Sequence, residues 1–187
     1  MRKYVLLLLI MVLLPGCAPV AREPDNLALV WVLGVDGKGQ VELTAICGKD
    51  TQSSVLRGRA RGNSFEQARQ QVVWSGEGKE LSLTGVSHLV IGSDVELEKI
   101  LFAILEDPDL GASAKVWLAE DSARDLLEDC EDPASDLELL ELQQTGAPSV
   151  AQTVAALSTV GSVDLPLLKE EDGRLMEDGW SIWKRDK

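Results

Sequence analysis

The amino-terminal apolar run decides which residues are left to fold. Arg2 and Lys3 are followed by Tyr4 to Leu14, an eleven-residue apolar stretch, well short of the roughly 20 residues that cross a bilayer as a mature helix. A basic start, a short apolar stretch and a small residue behind it are the parts of a secretory signal, which is removed before the mature chain folds. No later apolar run approaches spanning length. The fold must therefore be built from the residues beyond this signal. A hydrophobic content of 45% is enough for a buried core, and 187 residues hold one domain, or one domain and a fragment of a second.

The run ends in Leu14-Pro15-Gly16-Cys17, which resembles a bacterial lipobox: Leu at the third position before the cysteine, a small Gly directly before it, and a thiol that receives a diacylglyceryl group. Pro15 departs from the usual Ala or Ser. Residues 1–16 are read as a lipoprotein signal peptide and Cys17 as the lipidation site, a diacylglyceryl cysteine also carrying a palmitate-type chain. More than one chain is needed, because each buried CH₂ contributes about 0.8 kcal/mol and a single chain binds only marginally. Residues 17–26 contain Pro19 and Pro24 and no apolar periodicity, as a flexible lipidated tether requires.

Charge removes whole classes of partner. Eighteen Lys and Arg stand against 31 Asp and Glu, a formal net charge of -13, and loss of Arg2 and Lys3 with the signal makes it -15. Such a body repels phosphate backbones, so no nucleic-acid partner is expected. It is not drawn to anionic headgroups either, so the acyl anchor must hold it at the membrane lipid. One histidine and three cysteines leave little for a protein-only zinc site or a Ser-His-Asp triad. Gly58-Arg59-Ala60-Arg61-Gly62 lacks the Lys-Ser/Thr of a P-loop. No enzyme, metal or cofactor is expected.

Further residues carry two readings each. Arg57, Arg59 and Arg61 alternate, so an extended segment puts them on one face, either to meet headgroups or an acidic partner loop, or as basic charges that discourage edge pairing. His88 at a strand start is a structural hydrogen-bonding residue or a pH sensor. Cys47 and Cys130 are a disulfide or two small buried hydrophobes. Glu106, Asp107 and Asp109, with Glu128, Asp129, Glu131 and Asp132, are solvated faces without EF-hand spacing. Trp31, Trp74 and Trp117 sit in apolar segments and are expected in the core.

Residues 27–35 and 41–47 read as strands around the turn Asp36 to Gly39, and a polar stretch comes next. Ser64 opens a helix running to Trp74, with Phe65, Ala68 and Val72 on one side. Val86 to Ile91 is a buried strand, and Val95 to Glu106 a helix after a turn and cap at Ser93-Asp94. Leu97, Ile100, Leu101, Ile104 and Leu105 form its inner stripe. Residues 115–119 are a strand, Ser122 caps a helix, and further helices lie at 136–143 and 149–160, joined by a linker at 145–148. The pieces at 165–168 and 179–183 form a hairpin with no sheet to join, which is marginal alone. The fold class is α+β, a mixed β-sheet with packed helices. Residues 27–147 make the domain and 148–187 the incomplete start of a second.

Particular residues go further than the pattern. Arg22-Glu23-Pro24-Asp25-Asn26-Leu27-Ala28-Leu29-Val30, then Leu33-Gly34-Val35-Asp36, resemble the opening of the Ger(x)C family, the lipoprotein C subunits of spore germinant receptors. Arg61 to Ala68 resembles that family's first helix start, His88 to Gly92 its buried strand, Leu105 to Leu110 a helix end, and Ala123 to Glu128 the next helix. The likeness runs from residue 17 to about 130, with a weaker echo over 163–183. Glu106 stands where a basic residue is common, and Ser93-Asp94 replaces an acidic pair. The resemblance implies a non-enzymatic subunit involved in spore germination, lipid-anchored on the outer face of the cytoplasmic or spore inner membrane. Its implied partners are the integral membrane subunits of a germinant receptor. The alternative is a stand-alone envelope lipoprotein acting as scaffold or small-molecule binder.

Overall fold

The alternating apolar residues after Asn26 form β1 (Leu27–Asp36), which turns through Gly37 and Gly39, both at positive φ, into antiparallel β2 (Val41–Cys47). The computed structural model describes residues 26–37, 39–48, 55–76, 78–143 and 146–185; the expected signal peptide, Cys17 and all of the expected tether before Asn26 lie outside them. The polar stretch is itself a strand: β3 (Arg57–Gly62) pairs antiparallel with β2 along its whole length. Its three arginines hid it from a reading based on apolar alternation.

Ser64 caps α1 (Phe65–Val72) by accepting from the Gln67 N–H, and Phe65, Ala68 and Val72 turn inward. A short β4 (Glu80–Ser82) runs parallel to the first residues of β1, and a 3₁₀ turn leads to β5 (His88–Ile91). Next, α2 (Leu97–Glu106) buries Leu97, Ile100, Leu101 and Ile104. It starts two residues later than the sequence suggests. Its cap position is Glu96, which makes no side-chain capping bond, so Asp94 is not the cap; Leu105 stays 39% exposed.

β6 (Lys115–Ala119) comes next, then α3 (Ala123–Asp129) capped by Ser122, and α4 (Pro133–Leu142) capped by Asp132 with Pro at its first turn. Ser149 and Gln152 form a reciprocal capping box on α5 (Val150–Thr159), which satisfies two end donors at once. The chain closes with β7 (Ser162–Glu171) and β8 (Arg174–Lys184), joined by a tight turn with Asp172 and Gly173 at positive φ.

The sheet order is β3-β2-β1-β5-β6-β7-β8, with β4 alongside the start of β1. The pairs β1/β5, β5/β6 and β6/β7 are parallel, and a hairpin flanks them on each side. Parallel strands covered on both faces read as unbroken apolar runs, and all four residues of β5 are buried. One face, with Leu33, Leu89, Ile91 and Val116, packs on α1, α2 and α5. The other, with Val32, Val90 and Trp117, packs on α3 and α4. The protein is an α+β fold with a mixed sheet.

Three expectations need correcting, and the choice between two readings of Cys47 and Cys130 is decided. The carboxyl-terminal hairpin does have a sheet to join: Leu167 and Leu168 pair in parallel with Leu118 and Ala119 of β6, and Leu165, Leu168 and Leu175 are buried. Nor is there a boundary at 147/148. Ala147 is buried, the Pro148 carbonyl accepts from the Val116 N–H at 2.9 Å, and Ser149 bridges Lys115. Cys47 and Cys130 are free and buried in the clusters on opposite faces of the sheet, so they do not form a disulfide. Finally, only Trp117 of the three expected core tryptophans is fully buried, while Trp31 and Trp74 are exposed. A bulge between Val30 and Val32 breaks the strand's alternation at Trp31, which is how a strand re-aims a side chain.

Candidate functional site

Cys17, expected from the sequence to be the lipidation residue, lies outside the described residues. The arginine row is within them. On β3, Arg57, Arg59 and Arg61 reach toward the same side of the sheet, as alternation requires. The Arg57 guanidinium donates to the Cys130 carbonyl at 2.6 Å, Arg59 pairs with Glu128 at 2.5 Å, and Arg61 pairs with Glu42 at 2.8 Å. Arg59 and Arg61 keep more than half of their side-chain surface open. Their chemistry is therefore divided. The row fastens an edge strand to α3 and still shows guanidinium surface to solvent.

Of the acidic runs, Glu106, Asp129 and Glu131 are exposed as solvated faces are, while four others take structural roles. Asp107 is buried and, with Asp109, takes the Arg69 guanidinium, which ties the end of α2 to α1. Asp132 caps α4, and Glu128 holds Arg59. Among the described residues no three His, Cys, Asp or Glu side chains converge as metal ligands would.

Two acidic residues that the sequence did not mark fasten distant elements. Asp36, the last residue of β1, accepts from the Ala123 and Arg124 N–H groups at 2.7 Å each, so it closes the amino-terminal end of α3. A Cβ on Gly92 would lie 2.2 Å from the Asp36 carboxylate; only glycine leaves room for it. Burial pushes the Asp36 carboxyl above its ordinary value, against the pull of the two backbone N–H groups, while Glu42 raises it and Arg124 lowers it. Asp136 on α4 accepts from the Arg174 guanidinium at 2.9 and 3.1 Å and from the Leu175 N–H at 2.9 Å. For Asp36 the only local hint was the Gly37 after it, which reads as a turn; Asp136, followed by Leu137, offered none.

His88 opens β5 and is buried. Its Nδ1 accepts from the Trp117 Nε1–H at 3.2 Å, and its Nε2 lies 4.0 Å from the Glu141 carboxylate. Burial lowers its pKa to about 4, with Glu141 opposing and Lys115 reinforcing the shift. Burial likewise pushes the Cys47 and Cys130 thiols up to about 11 and about 12. A neutral imidazole spent on an indole and two high-pKa thiols are poor nucleophiles and poor bases at neutral pH.

A groove of about 660 Å³ lies beside the start of α2. Phe102 and Trp183 give it apolar walls, Glu96 and Lys99 give it charge, and the Arg185–Glu98 ion pair at 2.7 Å lines it. Sequence reading missed it because its walls come from α2, α5 and the end of β8.

No family model matches the chain, and no curated protein matches it. Among solved structures, the crystal structure of the GerBC protein is similar, with a TM-score of 0.40 and 17% sequence identity over 82% of this chain and 48% of that one. The chain thus spans about half the length of the solved protein it is similar to.

Proposed function

We propose that this chain is a lipid-anchored, non-enzymatic subunit of a spore germinant-receptor-like membrane complex, with integral membrane subunits as its partners. The observation that carries the proposal is the ordered set of Ger(x)C-like segments behind a lipobox cysteine. These segments fall on the junctions of the fold. They occupy β1, the cap and start of α1, all of β5, the end of α2 and its exit turn, and most of α3. The chemistry agrees, since the imidazole and the described thiols are withdrawn from solvent. The mechanism is docking. An acyl anchor confines the domain to a plane and raises its effective concentration toward membrane-embedded partners without adding a contact. Affinity purification from detergent-solubilised spore membranes tests it: integral membrane proteins should co-purify with the tagged chain, and their absence would sink the proposal.

The groove beside α2 favours a second reading, that of a stand-alone envelope lipoprotein binding a small molecule, because its volume falls within the range of ligand pockets. A ligand-dependent rise in melting temperature, abolished by Trp183→Ala, with no membrane partner recovered, would select it.

A further inference from the structure

The strands β1, β5 and β6 run parallel, so all three begin at one end of the molecule, the end where the chain enters the fold at Leu27. Large apolar side chains stand open there. Leu29 and Trp31 are exposed on the first half of β1, and Trp74 comes after α1 just before β4. Leu142 ends α4 next to Glu141, whose carboxylate approaches His88 and Lys115, the first residues of β5 and β6. Where β5, β6 and β7 finish, the exposed residues include the acidic Asp94, Glu120, Asp121, Glu170, Glu171 and Asp172, with Arg174 and Met176 opposite the last residues of β7.

The apolar side chains have seats of their own. A Cβ on Gly48 would fall 2.9 Å from the Trp31 indole nitrogen, and one on Gly85 would fall 2.4 Å from the Leu29 side chain. Glycine at both positions lets the side chains lie across the backbone without entering the core. An indole with one apolar body and one polar N–H suits the boundary between headgroups and acyl chains.

We infer that this end of the molecule rests on the phospholipid bilayer, with Leu29, Trp31, Trp74 and Leu142 at the headgroup-acyl boundary. The inference depends on the lipid-anchor reading, and geometry then selects the surface. Leu27 stands ten positions after Cys17, a stretch that reaches at most about 35 Å fully extended. A folded body of this size is about 40 Å across, so the acidic end cannot swing round to the lipid. Lys79 and Lys115 are mixed with Glu80 and Glu141 at the apolar end, so the contact is apolar and needs no anionic headgroup.

The test uses the acylated protein in vesicles of phosphatidylcholine brominated along its acyl chains. Vesicle flotation reports the anchor, and loss of tryptophan emission relative to unbrominated vesicles reports the docked face. The acylated wild type should float and lose emission, and the double variant Trp31→Phe, Trp74→Phe should float equally but keep most of its emission ratio. Protein that floats without quenching would overturn the docking while sparing the anchor. Protein that does not float would overturn both. Quenching that appears only when native membrane proteins are added would assign the face to a protein partner and also overturn the inference.

Discussion

His88 shows how much one buried side chain can decide. Its imidazole stays neutral in the folded protein down to pH about 4, whereas in the unfolded chain it takes up a proton near 6.5. Between those values the unfolded state holds the extra proton, so stability rises with pH. The stabilisation is complete above pH 6.5 and is lost as the pH falls toward 4, in total about 3 kcal/mol at roughly 1.4 kcal/mol per unit. Denaturant unfolding measured from pH 7.5 to 4.5 should show this loss. His88→Gln keeps an acceptor for Trp117 and cannot titrate, so it should flatten that part of the curve; an unchanged slope would mean that His88 is not the group responsible. The sequence made a structural histidine at a strand start legible. It could not identify the Trp117 partner, which lies on the neighbouring strand and becomes adjacent only through the parallel β5/β6 register.

Elements were legible where their stabilisation is local. Ser64 and Ser122 cap helices as their positions suggest, and Ser149, read as the first residue of its helix, proves to be its cap; each cap bond closes within three residues. The α2 stripe is similar: Ile104 is buried on the sheet, and Ile104→Asp would bury a carboxylate with no partner. That should cost several kcal/mol, a large part of the 5–15 kcal/mol that holds a domain together, and a fall in melting temperature would show it. An unchanged melting temperature would mean that the face is not core. The strands β3 and β7 were not legible as sheet members, because what makes them strands is a partner elsewhere. For β7 the partner is β6, 49 residues away at Leu118↔Leu167. β8 depends further on Asp136, which satisfies the Arg174 guanidinium and the Leu175 N–H from another layer. Asp136→Ala should destabilise the protein by about 2–3 kcal/mol, and limited proteolysis should then cut within β8 before any other strand. Cleavage elsewhere first would show that α4 does not hold the edge.

At the scale of the whole molecule, the proposed function assigns location to lipid: the body is too acidic to be attracted to a negatively charged surface, and no described helix is long and apolar enough to cross a membrane. Cys17 is the one cysteine that comes after a basic start, an apolar run and a small residue, so Cys17→Ala should block processing or release the protein from the membrane fraction. Unaltered membrane partition together with unaltered precursor size would refute the lipoprotein reading. The functional consequence is a matter of concentration. If activity is assembly with membrane partners, freeing the domain dilutes it from a plane into a volume and weakens assembly, although every protein contact is intact. Deleting the gene in a spore-forming host should therefore impair the response to one class of germinant while growth continues normally, and Cys17→Ala should reproduce part of that defect. Restoring the anchor through an unrelated lipoprotein signal should reverse it, which separates the effect of location from damage to the fold. If spores lacking the gene respond normally to every germinant tested, the receptor-subunit proposal fails and the groove beside α2 becomes the place to look for activity.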